Sequence, residues 1–446
     1  MGNWTMSGLR ERPVRDRTRR RRLFPALAAL TLFVGVGAGT MAIAVAQEPD
    51  SALEAEFDRI AAGTASLREL PPLAEIRERF QTPEELRLEL PMQIAEDYPL
   101  AEAAAESRSW AALGLVPAGS DLIELFVDLL GDQVAGYYDP RTNEMVVISE
   151  GAEFGALEEF TYSHETVHAL QDEHLGLGDL ILEEGPSLSD DASVALTALY
   201  EGDATLASFD YLSGDPGLAA RVAFAAGTQA APLDGPPALT VWLIFPYLQG
   251  PTFVHAVRDA GGWAAVDAAY ADPPVSTEQV MHPEKYLERD EPVAVSLPEA
   301  TALGEDWSEV DQDTLGELLT AVVLANLQPG QGFNEFMGTL DLPTPASQAA
   351  AGWGGDRYAL WENGEQEVLV WRSVWDTEED ARAFAGAMQG YAAARFGETW
   401  SGSIADATML GTNHAARLSL TGTTVQYTLA PTPELAESAM DVLGQN

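Results

Sequence analysis

Cysteine is absent from all 446 residues, which removes disulfides, thiolate zinc sites, cysteine nucleophiles and a lipidated N-terminal cysteine. Basic side chains are scarce: 24 Lys and Arg stand against 70 Asp and Glu, a formal net charge of −46. Eight of the arginines (Arg10, Arg12, Arg15, Arg17, Arg19, Arg20, Arg21 and Arg22) precede the first long apolar run. From Gln47 onward 16 basic residues therefore face 68 acidic ones. A body this acidic repels phosphate backbones and anionic lipid surfaces, which argues against a nucleic-acid partner. It suits the cell exterior or a salty environment and carries no information about fold. Internal repeats and low-complexity tracts are missing too. Hydrophobic residues at 46% and charged ones at 21% exclude a wholly disordered chain, and the length allows two or three domains. Histidine occurs only six times.

The first 46 residues read as an address. After the arginines, Leu23 to Ala46 carries no charge. At ~1.5 Å per helical residue such a run can cross a hydrocarbon core of ~30 Å. It closes on Ala44-Val45-Ala46, the small-x-small pattern at which signal peptides are cut. Residues 1–46 are thus expected to be a signal peptide or an N-terminal membrane anchor with the arginines inside. Either way the acidic body is expected outside the cytoplasm, secreted or tethered.

Residues 47–118 read as a helical segment, with apolar positions at three and four in Leu53, Phe57, Ile60 and in Leu73, Ile76, Phe80, broken at Pro71-Pro72, Pro91 and Pro99. A helix is expected from Asp121 to Leu130. Residues 133–149 read as a hairpin around Asp139-Pro140-Arg141-Thr142-Asn143, with Met145 to Ile148 as a strand. Helices are expected over 157–174, 190–212 and 238–260, the last interrupted by Pro246 and Pro251. From about Gly352 short strands follow (358–361, 368–374, 408–411, 415–420, 424–429), with helices at 377–396 and 433–443. That pattern predicts a C-terminal α+β domain with an antiparallel sheet. Gly352 to Tyr358 reads as a tight turn. Asp311-x-Asp313-x-x-Gly316 lacks the ligands of a calcium loop, having Leu315 and Val322 where oxygen donors belong.

Three of the six histidines fall within His164-Glu165-Thr166-Val167-His168-Ala169-Leu170-Gln171-Asp172-Glu173-His174. His164 and His168 are one helical turn apart, about 40° around the axis, so both imidazoles leave the same face. That spacing lets two ring nitrogens reach one Zn²⁺. Glu165, about 100° round, stands off the metal yet close enough to take a proton from a water activated by it. Uncharged Thr161, Tyr162, Thr166, Val167 and Ala169 around the motif fit a buried helix. A third ligand is needed, and the residues leave His174, Glu201 and Asp203 as candidates. On a continuous helix His174 points about 120° away from His168. Glu201 is favoured, because the residues three, four and seven away from it are Val194, Thr197, Ala198, Ala204, Thr205 and Ser208, all small and uncharged. Asp172 stays on the metal side and is a candidate to orient an imidazole. His282 and Tyr286, in a Pro-bounded loop, are candidates to steady a transition-state oxyanion or else structural loop residues. His255 and His414 read as ordinary helix and strand residues.

The motif His164-Glu165-Thr166-Val167-His168 resembles that of the zincin metallopeptidases. Glu201-Gly202-Asp203-Ala204 resembles the third-ligand segment of gluzincins, in particular the peptidase-MA-like group. Metzincins instead place a third histidine where His174 stands, after a helix-breaking glycine; this chain has Gln171 there. The resemblance implies an α+β fold: a mostly helical zincin-like catalytic domain over 119–300 with a small sheet, its edge strand at Met145 to Ile148 receiving an extended peptide. A C-terminal helical connector and α+β domain then fill 301–446. It implies Zn²⁺ held by His164, His168 and Glu201, with Glu165 as general base, hydrolysing peptide bonds of a peptide or protein substrate. The competing readings are a non-catalytic exported binding protein whose zinc site is structural or vestigial, and a zinc hydrolase of another amide bond. Membrane contact is expected only through the N-terminal segment.

Overall fold

Phe57 and Ile60 turn inward from the first helix, and the last residue of that helix, Arg68, is buried beside them. The computed structural model of the chain describes residues 30–32, 51–74, 76–131, 134–148, 154–229, 235–326, 344–364 and 366–445. Apart from a three-residue strand, β1 (Leu30–Leu32), the expected signal or anchor lies outside the described residues. Among the described residues no helix is long and apolar enough to cross a membrane.

The chain is α+β. α1 (Ser51–Arg68) leads to β2 (Arg77–Gln81), then α2 (Pro83–Asp97), α3 (Leu100–Leu113), α4 (Leu122–Leu130), β3 (Val134–Asp139) and β4 (Glu144–Ile148). The helical core follows as α5 (Ala156–Leu175), α6 (Asp190–Gly214), α7 (Pro216–Gln229) and α8 (Pro237–Gly261). β3 and β4 form the expected antiparallel hairpin, pairing Tyr137 with Val146. β2 runs parallel to β4, and β1 pairs with β3, giving the order β1-β3-β4-β2.

Two expectations change here. Ile76 and Phe80 sit at helical spacing, but Arg77–Gln81 is extended because β4, far along the chain, offers it a ladder. For the same reason Met145 to Ile148 is an interior strand between β2 and β3, not the edge strand that an added peptide requires. Pro91 lies within α2, and α8 runs through both Pro246 and Pro251.

α1 lies on α5 through stacked Phe57 and Tyr162 rings, 4.4 Å apart, and a 3.0 Å contact between the Thr64 and Ser163 hydroxyls. α6 is sandwiched between α5 and α8. Its N-cap is Ser189, whose hydroxyl accepts from Ala192 N–H. α6 and α8 cross at paired glycines: a Cβ on Gly202 would stand 2.7 Å from Gly250 Cα, and one on Gly250 would stand 2.9 Å from Gly202 Cα. Only bare backbone permits that approach.

The C-terminal region is a seven-stranded antiparallel sheet. β5 (Ser308–Asp313) precedes α9 (Gly316–Ala325), and β6 (Trp353–Asn363), β7 (Gln366–Trp375) and α10 (Glu378–Phe396) come next. β8 (Trp400–Ser403), β9 (Asp406–Leu410), β10 (Ala415–Thr421), β11 (Thr424–Ala430) and α11 (Pro433–Leu443) close it. The strand order is β5-β6-β7-β11-β10-β9-β8. Trp353 to Tyr358, expected as a turn, is the bulged first half of β6. α3 packs against this sheet: Arg108 pairs with Glu362 and Glu367, and Arg395 reaches the carbonyls of Ala111 and Ala112. One apolar core runs without a break from Leu86 to Tyr427.

Candidate metal centre

From Phe160 to Gln171 every side chain of α5 is buried, as its uncharged flanks lead one to expect. His164 and His168 are each 3% exposed, and Glu201, arriving from α6, is fully enclosed. His164 Nε2 lies 3.1 Å from Glu201 Oε2 and 3.1 Å from His168 Nε2, and His168 Nε2 lies 3.4 Å from the same Glu201 oxygen. Four-coordinate tetrahedral binding at ~2.0–2.2 Å sets ligand atoms roughly 3.3–3.6 Å apart, so this triangle fits one ion. Two buried imidazoles and a buried carboxylate converging in this way could hold a metal ion, and theirs is the one such group among the described residues.

The charges interlock. Burial alone would raise the Glu201 carboxyl, but the two histidines hold it down at about 2. Burial pushes His164 below the usual imidazole range. At His168 the Glu201 charge and hydrogen bond outweigh burial and lift it to about 9. The second Glu201 oxygen accepts from the Tyr247 hydroxyl at 2.9 Å, reached from α8 just before the glycine crossing.

Glu165 is fully buried on the side of α5 facing β3. Gly136 of β3 comes so close that a Cβ there would meet Thr161 Cγ2 at 2.7 Å and Glu165 Cγ at 3.6 Å. The glycine lets the strand lie directly on the carboxylate, whose charge is felt at His168.

The other residues singled out by sequence fall into place differently. Asp172 accepts from the Tyr138 hydroxyl (2.7 Å) and from Gly178 N–H (2.9 Å), tying the hairpin to the turn after α5 instead of orienting an imidazole. That place is taken by its neighbour Gln171, whose Oε1 is 2.9 Å from His168 Nδ1. His174 turns to the Pro71 carbonyl at 2.9 Å, away from the triangle. Asp203 is buried behind the triangle in an ion pair with Arg68 at 2.6 Å. His282 bonds Glu317 at 3.1 Å, and the Tyr286 hydroxyl donates to the Asp272 carbonyl, so their polar atoms meet none of the groups around Glu201. Gln171, Tyr247 and Arg68 carry no sequence signal of their own: an amide within a helix, a tyrosine in an apolar run and an arginine at a helix end all read as ordinary.

A family described as "Domain of unknown function (DUF8575)" matches residues 303–440. The match covers the sheet from β5 into α11 and excludes His164, His168 and Glu201. No curated protein matches the chain.

Proposed function

We propose that this chain is an exported, zinc-dependent metallopeptidase, with Zn²⁺ held by His164, His168 and Glu201 and Glu165 as general base. The observation that supports it most is the closed triangle of buried nitrogen and oxygen atoms with an acidic residue one position along the helix. A zinc ion bound there supplies Lewis acidity toward a carbonyl and lowers the pKa of water. Glu165 takes the proton of the attacking water on its carboxylate and returns it to the leaving amine. Tyr247 and Gln171 hold Glu201 and His168 in place while this happens. The substrate is a peptide or protein outside the membrane, and the acidic surface favours basic or neutral partners, weakly at high salt.

One observation favours a second reading. His164, Glu165, His168 and Glu201 are all at most 3% exposed, which suits a structural zinc site in a non-catalytic binding protein. Metal analysis and one variant separate the two. About one zinc per chain, unchanged in Glu165→Gln while peptide hydrolysis falls at least ~10²-fold, supports the peptidase. Zinc in the wild type with no cleavage of a peptide library supports the structural site. Cleavage of a cell-wall digest alone moves the activity to another amide. A wild type without metal rejects the proposal.

A further inference from the structure

Behind His168 lies a chain of hydrogen bonds whose donors and acceptors can be ordered in only one way. It begins at Asp203, fully buried on α6 and clasped by Arg68 through Nε–Oδ1 (2.6 Å) and Nη2–Oδ2 (3.2 Å). Arg68 is itself fully buried, pairs also with Asp267 at 2.7 Å, and lies over the Trp263 ring at 4.3 Å. The Tyr270 hydroxyl donates to Asp203 Oδ2 at 2.8 Å. Paired with a guanidinium, Asp203 offers acceptors only.

The side-chain amide of Gln171 reads that polarity. Its nitrogen lies 3.1 Å from Asp203 Oδ2 and 3.0 Å from the Tyr200 carbonyl. Both neighbours are acceptors, so the NH₂ must face them and Oε1 must face His168. Oε1 is 2.9 Å from His168 Nδ1, so Nδ1 must carry a hydrogen, and Nε2, which faces His164 and Glu201, is the nitrogen left to give up its proton to a metal.

We infer that Arg68, Asp203 and Gln171 form a positioning chain that fixes the tautomer and ring orientation of His168 for metal binding. α1, at whose last residue Arg68 stands, is then part of the metal centre. The inference rests on the metal-site reading above but does not depend on peptidase activity. Interactions of this kind behind a metal ligand are worth ~10–100-fold in affinity.

Zinc affinity, measured on the full chain by competition with a chromogenic chelator, tests it. Gln171→Met, close in volume and without hydrogen bonds, should weaken zinc binding ~10–100-fold while the protein remains folded by circular dichroism. Arg68→Met should weaken it in the same direction. The double variant should be little worse than Gln171→Met alone, because both act through one path; independent effects would multiply. Asp203→Asn, which removes the charged acceptor from the Gln171 amide and weakens the hold of Arg68, should also lose affinity. Arg59→Ala, which breaks the ion pair of α1 with Glu159 of α5, should leave affinity unchanged. A wild type that takes up no zinc overturns the metal site itself. Zinc held as tightly by Gln171→Met as by the wild type, or independent effects of Gln171→Met and Arg68→Met that multiply in the double variant, overturns the positioning chain alone.

Discussion

Glu201 is asked to present one oxygen to two imidazoles while buried, and an unconstrained carboxylate would rotate between its two oxygens. The Tyr247 hydroxyl stops that rotation by binding Oε1 and leaving Oε2 to the histidines. Tyr247→Phe keeps the ring and removes the donor. The expected outcome is zinc affinity lower by about tenfold in a protein that remains folded by circular dichroism, since a hydrogen bond to a charged group is worth about 1.5–3 kcal/mol. Chelator competition checks it, and an unchanged affinity would assign Tyr247 no part in the centre. The candidate ligands are the residues most legible in the sequence. His164 and His168 announce themselves by spacing, and Glu201 by standing alone among small side chains. Their supports are not legible, because Gln171, Tyr247 and Arg68 acquire meaning only from partners on other elements. Asp172 misleads for the converse reason: its helical phase toward the metal is right, but the Tyr138 hydroxyl is nearer.

At the scale of elements, the site depends on how closely α6 and α8 can pack. The small residues flanking Glu201 suggest a helix pressed against the histidine helix. In the fold the tightest approach is instead to α8, at Gly202 and Gly250. That crossing carries Tyr247 to Glu201, so one methyl group there acts on both packing and site. Gly202→Ala should destabilise the protein by about 1–3 kcal/mol through overpacking, in spite of the better helix propensity of alanine. Gly250→Ala should act likewise, and the pair should cost less than the two singles together, because helices already forced apart accommodate the second methyl. Denaturant midpoints of the three variants measure this; a Gly202→Ala protein as stable as the wild type would show that the crossing yields freely. Local periodicity serves the helices α5 and α6 and the β3–β4 hairpin well, since their signals lie within the element. It fails at Ile76 to Gln81, where a spacing compatible with a helix is overruled by a parallel partner strand remote in sequence.

Across the whole molecule, the helical core and the seven-stranded sheet are joined by buried carboxylates as well as by apolar surface. Asp191, in the first turn of α6, accepts from the N–H and hydroxyl of Thr277, 86 residues away. Asp356 on β6 accepts from Leu315 and Gly316 N–H and from the indoles of Trp353 and Trp371. Separations of this size leave no trace in local sequence, which is why the seam is invisible there. Glu278, next to Thr277, is bridged by Lys285 to Asp376 just after β7. Burial raises these three acids above the usual carboxylate range of about 4, Asp191 to about 8, Glu278 to about 7 and Asp356 to about 6. Asp356 and Glu278 push Asp191 further up, while Glu317 and Asp376 push Glu278 up against the pull of Lys285. Between about pH 4 and 8 the folded chain therefore holds protons that the unfolded chain has released. The stability they contribute is complete below about pH 4 and is lost as pH rises through 6 to 8. His282, raised by its bond to Glu317, and His168, raised by Glu201, slope the same way. The wild-type decline alone does not single out the seam, whereas Asp191→Asn does: it keeps an oxygen for Thr277 and carries no charge. Melting temperature should fall from pH 6 to 8.5 in the wild type and fall less in Asp191→Asn. At pH 8.5 the variant should melt above the wild type, and a variant that melts lower at both ends would mean that the Asp191 charge strengthens the seam.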